Sequence, residues 1–186
     1  MLEALPIIAP TTPTHGVLQR VATLLLRLTG WRVVGVMPQA ATLVLIVAPH
    51  TSNWDFPVGL VCGYASRILS IWPYGFLAKD SLFWWPLGPM LRWLGAIPVD
   101  RRAPNAVVDQ MAVEFASRER FLLAITPEGT RRRTASWRSG FYHIARAARV
   151  PIVPVAFDYG RRECRIGTPL DRPVTSTPSG VPSQPR

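Results

Sequence analysis

Leu43-Val44-Leu45-Ile46-Val47-Ala48-Pro49-His50-Thr51-Ser52-Asn53-Trp54-Asp55 is the stretch on which the architecture turns. Leu43–Ala48 is short, wholly apolar and partly β-branched, which suits a strand buried on both faces of a sheet. The character of the chain then changes at once. Ser52 has the chemistry of a helix N-cap, and Asp55 follows three positions later, in the manner of a capping box. Asp55 is thereby expected in the first turn of a helix over Asn53–Leu69, where the helix dipole favours its ionised form. His50 belongs to the loop between strand and helix. Folded back on Asp55, its imidazole donates from one ring nitrogen and keeps the other as an outward-facing acceptor. An unperturbed imidazole, with a pKa near ~6.5, is largely neutral at cellular pH and accepts a proton there. These are the requirements of a general base with an orienting carboxylate. Taken alone, the pair is better read as a loop histidine beside a capping aspartate, so the rest of the chain has to decide.

Working outward, apolar strands alternate with amphipathic segments. Upstream, the charge-free run from Val33 to Trp54 is broken by Gly35, Pro38, Gln39 and Pro49. It reads as strand, turn, strand and site loop, since a spanning helix needs ~20 unbroken apolar residues. Further upstream, Gly16–Leu28 is helical in pattern. Val17, Leu18, Val21, Leu24, Leu25 and Leu28 form one stripe, and Gly30 stops the run. At ~18 Å this helix is too short to cross a bilayer; its stripe fits either the protein's own core or a membrane interface. Downstream, strands are expected at Gly75–Lys79, Ala96–Asp100, Phe121–Thr126 and Ile152–Phe157. Helical patterns fill Ser81–Leu94, interrupted by Pro86 and Pro89, then Pro104–Arg118 and Ser139–Ala148. The alternation predicts an α/β fold: a single domain whose largely parallel or mixed sheet is flanked by helices. The domain is expected over residues 16–167. Residues 1–15 read as a poorly ordered segment, and residues 168–186, rich in Pro, Ser and Thr, as a disordered tail.

The 186 residues suffice for one sizeable core. The chain is 48% hydrophobic yet carries a net charge of +10, with an isoelectric point near 11.1. That balance suits an anionic partner, and the seven Trp and seven Phe point to a membrane surface rather than to nucleic acid. The two cysteines fall in separate apolar segments, so a reducing compartment is the simpler reading. The N-terminus lacks the basic and apolar regions of a cleaved signal peptide. Three histidines without ligand spacing give no support to a metal site. Leu82-Phe83-Trp84-Trp85-Pro86-Leu87-Gly88-Pro89-Met90-Leu91 is nearly uncharged. It fits core, the path of an acyl chain, or membrane contact, with the paired Trp favouring lipid.

Four blocks in order carry a specific resemblance. His50 and Asp55 match a His-x-x-x-x-Asp signature. Gly95-Ala96-Ile97-Pro98-Val99-Asp100-Arg101, Thr126-Pro127-Glu128-Gly129-Thr130-Arg131 and Val150-Pro151-Ile152-Val153-Pro154-Val155 follow with fitting separations. Together, across residues 45–158, the chain resembles the lysophospholipid and glycerol-phosphate acyltransferase family. Thr126 stands where that family usually has an aromatic residue. The resemblance implies a glycerol-phosphate acyltransferase-like fold and catalysis by His50 and Asp55. It also implies an acceptor site holding Arg101, Glu128, Gly129, Thr130 and Arg131.

The blocks make physical sense. Gly129 permits a tight turn, Thr130 can cap the segment after it, and Arg101 and Arg131 at neighbouring strand ends would grip a phosphate bidentately. Glu128 fits an acceptor-orienting role and a structural ion pair equally. Lys79, also at a strand end, is a further candidate for a phosphate. The expected reaction moves a fatty acyl group from acyl-CoA or acyl carrier protein to the hydroxyl of a lysophospholipid, lysophosphatidic acid foremost. No cofactor is needed beyond that co-substrate. The expected location is peripheral, on the cytoplasmic face of an anionic membrane. A lipid ester or thioester hydrolase using the same base is the rival enzyme, although the chain has no Gly-x-Ser-x-Gly elbow. A non-catalytic basic membrane-binding module is the rival outside catalysis.

Overall fold

The computed structural model describes residues 13–49, 52, 54–100, 102–128 and 137–170. Its centre is the apolar run just quoted. Strand β2 (Thr42–Val47) pairs in parallel with β5 (Phe121–Ile125) on one side and β6 (Ile152–Asp158) on the other. Strand β3 (Tyr74–Lys79) continues the sheet in parallel beyond β5, and β4 (Ala96–Val99) in parallel beyond β3. Strand β7 (Glu163–Ile166) runs antiparallel to β6 and parallel to β1 (Arg32–Val34). The seven strands lie in the order β1-β7-β6-β2-β5-β3-β4. The sheet is therefore mixed, with five neighbouring parallel strands whose carboxyl ends share one edge.

Alternation along β2 and β5 explains the continuous hydrophobicity. Val44, Ile46, Phe121 and Leu123 face one layer, where they pack with Met111 and Phe115 of α5 (Pro104–Ala116) and Phe141 and Ile144 of α6 (Gly140–Ala148). Leu43 and Leu122 face the other, against Ile68 and Ile71 of α3 (Ile68–Ile71) and Trp72. Because both faces of these strands are covered, every position after Thr42 in β2 and all of β5 is apolar.

The helix expected over Asn53–Leu69 is two helices, α2 (Asp55–Ala65) and α3. Arg67 adopts a left-handed φ of 66° between them, which ends one helix and starts the next. Gly63 lets the two pack closely, since a Cβ there would lie 2.6 Å from Leu69 Cγ. Pro86 separates a 3-10 turn (Asp80–Leu82) from α4 (Leu87–Trp93), and Pro89 is accommodated in the first turn of that helix. The run from Val33 to Trp54 resolves, as its breaks imply, into β1, a turn and β2. Helix α1 (Pro13–Thr29) begins three residues before the expected start at Gly16, and Gly30 ends it with a φ of +72°.

Two boundaries need correction at the C-terminal end. The strand series does not close with β6: the chain turns at Tyr159–Arg162 and adds β7. The described residues continue to Leu170, three residues into the segment expected as tail. Leu170 and Ile152 exchange backbone hydrogen bonds of 2.8 and 3.3 Å. Strand β7 is hidden in the sequence because Glu163 and Arg165 break its apolar pattern. Glu163 is buried all the same, accepting hydrogen bonds from Arg32 Nε at 2.9 Å and Arg165 Nε at 2.7 Å. The two cysteines, distant in sequence, meet in the small core beneath α2 and β7, alongside Val155 and Phe157.

Candidate active site

Asp55 is the first residue of α2 and only 3% exposed. The short connection from β2 brings it to the carboxyl edge of the sheet, where sites in α/β proteins form. Half of the expected capping box is present: the Ser52 backbone N–H donates to Asp55 Oδ2 at 3.0 Å. The other half is shifted by one residue, because Ser52 Oγ accepts from the Trp54 N–H at 3.1 Å rather than from Asp55. The second carboxylate oxygen, Oδ1, accepts from Tyr159 Oη at 2.5 Å. Burying a carboxylate is costly unless its oxygens are satisfied, and these donors offset that cost.

Tyr159 does not stand out in the sequence. Its only signal there is its place just beyond the last strand of a βα series, followed by a glycine. Burial, then the neighbouring Asp55 carboxylate, pushes its hydroxyl up to about 12. The group is therefore a neutral hydrogen-bond donor throughout the physiological range. Its ring meets Trp31 edge-on, with centroids 5.2 Å apart.

A cavity of about 870 Å³ opens beside Asp55. Phe56, Leu60, Phe76, Val108, Leu122 and Val155 are among its many apolar lining residues, and among the described residues the charged ones that line it are Asp55, Lys79 and Arg138. Lys79 is the last residue of β3 and is exposed. Arg138, which no sequence motif marks, precedes α6 and donates its backbone N–H to the Pro127 carbonyl at 2.9 Å. Thr126 and Pro127, at the end of β5, also line the cavity, and Glu128 follows them, 3% exposed. The structure thus brings Asp55 and Lys79 to one cavity, with Glu128 next to its wall. His50, Arg101, Gly129, Thr130 and Arg131 lie outside the described residues.

Two apolar surfaces are exposed elsewhere on the described residues. The stripe on α1 faces outward: Val17, Val21, Leu24 and Leu28 are 50–74% exposed, while Ala22 and Leu26 face the body of the protein. In and beside α4, Trp85 and Trp93 are 82% and 83% exposed. Leu82, at the start of this segment, also lines the cavity. Among the described residues no helix is long and apolar enough to cross a membrane.

Comparison with known proteins is consistent across sequence and structure. The profile of a family described as Acyltransferase matches residues 32–158. A 1-acyl-sn-glycerol-3-phosphate acyltransferase from Limnanthes douglasii is 33% identical over 112 residues, covering 57% of this chain and 40% of the relative. The protein of the same name from Escherichia coli is 32% identical over 117 residues, covering 60% of this chain and 45% of the relative. The chain thus matches less than half the length of these relatives. Among solved structures, the 1-acyl-sn-glycerophosphate (LPA) acyltransferase PlsC from Thermotoga maritima superposes with a TM-score of 0.57 at 19% identity. That match covers 88% of this chain and 71% of the other, and shows a shared fold.

Proposed function

Since the chain belongs to the acyltransferase family, we propose that it transfers a fatty acyl group from a thioester donor to the hydroxyl of a lysophospholipid, with lysophosphatidic acid as preferred acceptor. The observation that carries this reading is Asp55. A buried carboxylate with two defined donors stands at a strand end, beside an apolar cavity large enough for an acyl chain.

In the proposed mechanism His50 takes the proton of the acceptor hydroxyl as its oxygen attacks the thioester carbonyl. Asp55 holds the imidazole in the tautomer that accepts that proton and stabilises the imidazolium that results. The tetrahedral adduct collapses, the C–S bond breaks, and the proton passes from His50 to the leaving thiolate. The products are the acylated lipid and the free thiol of CoA or acyl carrier protein. Lys79, with Arg101 and Arg131, holds the acceptor phosphate. Glu128, Gly129 and Thr130 help to position the acceptor head group. The outward stripe of α1 and the Trp85 and Trp93 rings rest on an anionic bilayer at the cytoplasmic face, which supplies the lipid. The net charge of +10 favours that surface.

The test is incubation with radiolabelled acyl-CoA or acyl carrier protein and a panel of lysolipids, scoring phosphatidic acid against free fatty acid. Label in the acylated lipid that disappears in His50→Ala supports the transferase. Free acid alone favours the hydrolase. Wild-type transfer by folded His50→Ala overturns the proposed base.

A further inference from the structure

We infer that Tyr159 is a positioning residue of this reaction: its hydroxyl holds the Asp55 carboxylate and governs how much of its charge reaches the base. This rests on the reading of His50 as base and Asp55 as its orienting group. The donor reaches Asp55 from a different part of the fold. Ser52 approaches Oδ2 from the loop before α2, whereas Tyr159 approaches Oδ1 from the turn after β6. The carboxylate is thus held from two sides, which limits its rotation.

The turn is itself anchored. The Arg161 backbone N–H donates to Asp158 Oδ1 at 2.9 Å, and Arg162 Nη1 donates to the Thr29 carbonyl at 2.9 Å. The Arg32 backbone N–H closes onto the Arg162 carbonyl at 2.9 Å. Trp31, between α1 and β1, braces the tyrosine ring edge-on and contacts Phe157 in the same way, at 6.2 Å between centroids. A side chain fixed by its ring, with its hydroxyl aimed at a buried carboxylate, is built to set that carboxylate's geometry.

The sign of the effect comes from hydrogen-bond competition. A hydroxyl donating to Oδ1 draws off part of the negative charge that would otherwise stabilise a protonated His50. Removing that donor strengthens the hold of Asp55 on the imidazolium. The base then gives up its proton less readily, and the acid limb of kcat/KM moves to higher pH. Among the described residues, the other titratable or charged groups lining the cavity beside Asp55 are Tyr74 and Lys79 on β3, Arg138 before α6, Cys62 on α2 and Cys164 on β7, and buried Glu128 follows the end of β5. Tyr159→Phe leaves all of them in place and keeps the ring on Trp31, so a shifted limb reports the lost donor.

The experiment measures kcat/KM against pH for wild type and Tyr159→Phe in acyl-CoA transfer to a lysolipid, with thermal melts as a check of folding. His50→Ala runs alongside. The expected result is an acid limb raised by about half a pH unit, with kcat falling more than the acceptor KM changes. An unshifted limb in folded Tyr159→Phe, with His50→Ala inactive, overturns the role of Tyr159 alone. Wild-type turnover by His50→Ala overturns the reading of the site on which it rests. Should Tyr159→Phe lose its thermal transition, Trp31→Phe loosens the brace and keeps the hydroxyl. It should shift the limb less, in the same direction, and an unshifted limb there overturns the proposal.

Discussion

The backbone N–H of Ser52 donates to Asp55 Oδ2 at 3.0 Å, closing the passage from β2 into α2 on the carboxylate itself. Asp55 therefore serves local structure and the proposed chemistry at once. Asp55→Asn keeps the shape but replaces one accepting oxygen with a donor. We expect transfer to fall by ~10²–10⁴, the usual worth of a working base catalyst, with a smaller change in acceptor KM. Initial rates with a labelled thioester decide it. A folded variant with near wild-type turnover would remove Asp55 from the mechanism.

Lys79 ends β3 and lines the cavity that Asp55 also lines. If it grips the acceptor's phosphate, Lys79→Ala should raise the KM for lysophosphatidic acid about tenfold, as expected for a charged hydrogen bond partly shared with water. The same variant should scarcely alter the KM of an acceptor that lacks the phosphate. Equal effects on both acceptors would place Lys79 elsewhere in the reaction.

Glu163 joins β7 to β1 through Arg32 and is held also by Arg165 of its own strand. The hydrogen bond from Arg165, together with the charges of both arginines, holds its carboxyl below the usual value despite the opposing effect of burial. A depressed pKa in the folded state contributes stability above the unfolded value, near ~4.3, and loses it as pH falls through the folded value. Glu163→Gln should therefore melt lower than wild type at neutral pH. The two curves should draw together as pH drops from about 4 downward. Parallel curves across that range would show that the ion pairs are energetically silent.

Trp85 and Trp93 expose more than four-fifths of their surface in a segment whose Leu82 lines the cavity. Replacing both with Ser should reduce co-sedimentation with vesicles containing phosphatidylglycerol, and added salt should weaken the remaining binding. Binding unchanged from wild type would sink the membrane role of α4 and leave the α1 stripe as the candidate surface.

Much of this architecture is legible in the sequence because short-range patterns govern it. The apolar runs at β2, β5 and β6 are buried on both faces, and such strands have no polar position to blur the signal. Prolines and glycines mark the division of Ser81–Leu94 and the end of α1. Asp55 can be assigned to a helix start from Ser52 and its spacing alone. The features that stay hidden depend on partners distant in sequence. Glu163 looks like a surface residue until Arg32 and Arg165 are placed around it. The split of the Asn53–Leu69 helix depends on the left-handed Arg67, a position no propensity marks.

Fold class and the Asp55 end of α2 followed from the order of residues, because periodicity and spacing act along the chain, and the family followed from the resemblance of four motif blocks. The convergence of Asp55, Tyr159 and Lys79 came only with the folded sheet. Residues 55 and 159 are joined because β6 lies directly beside β2, and the turn after it returns over the start of α2. A hydrogen bond across 104 positions has no local signature. The outward direction of the α1 stripe was likewise undecided until packing chose its opposite face, since an apolar stripe reads alike against a core and against a membrane.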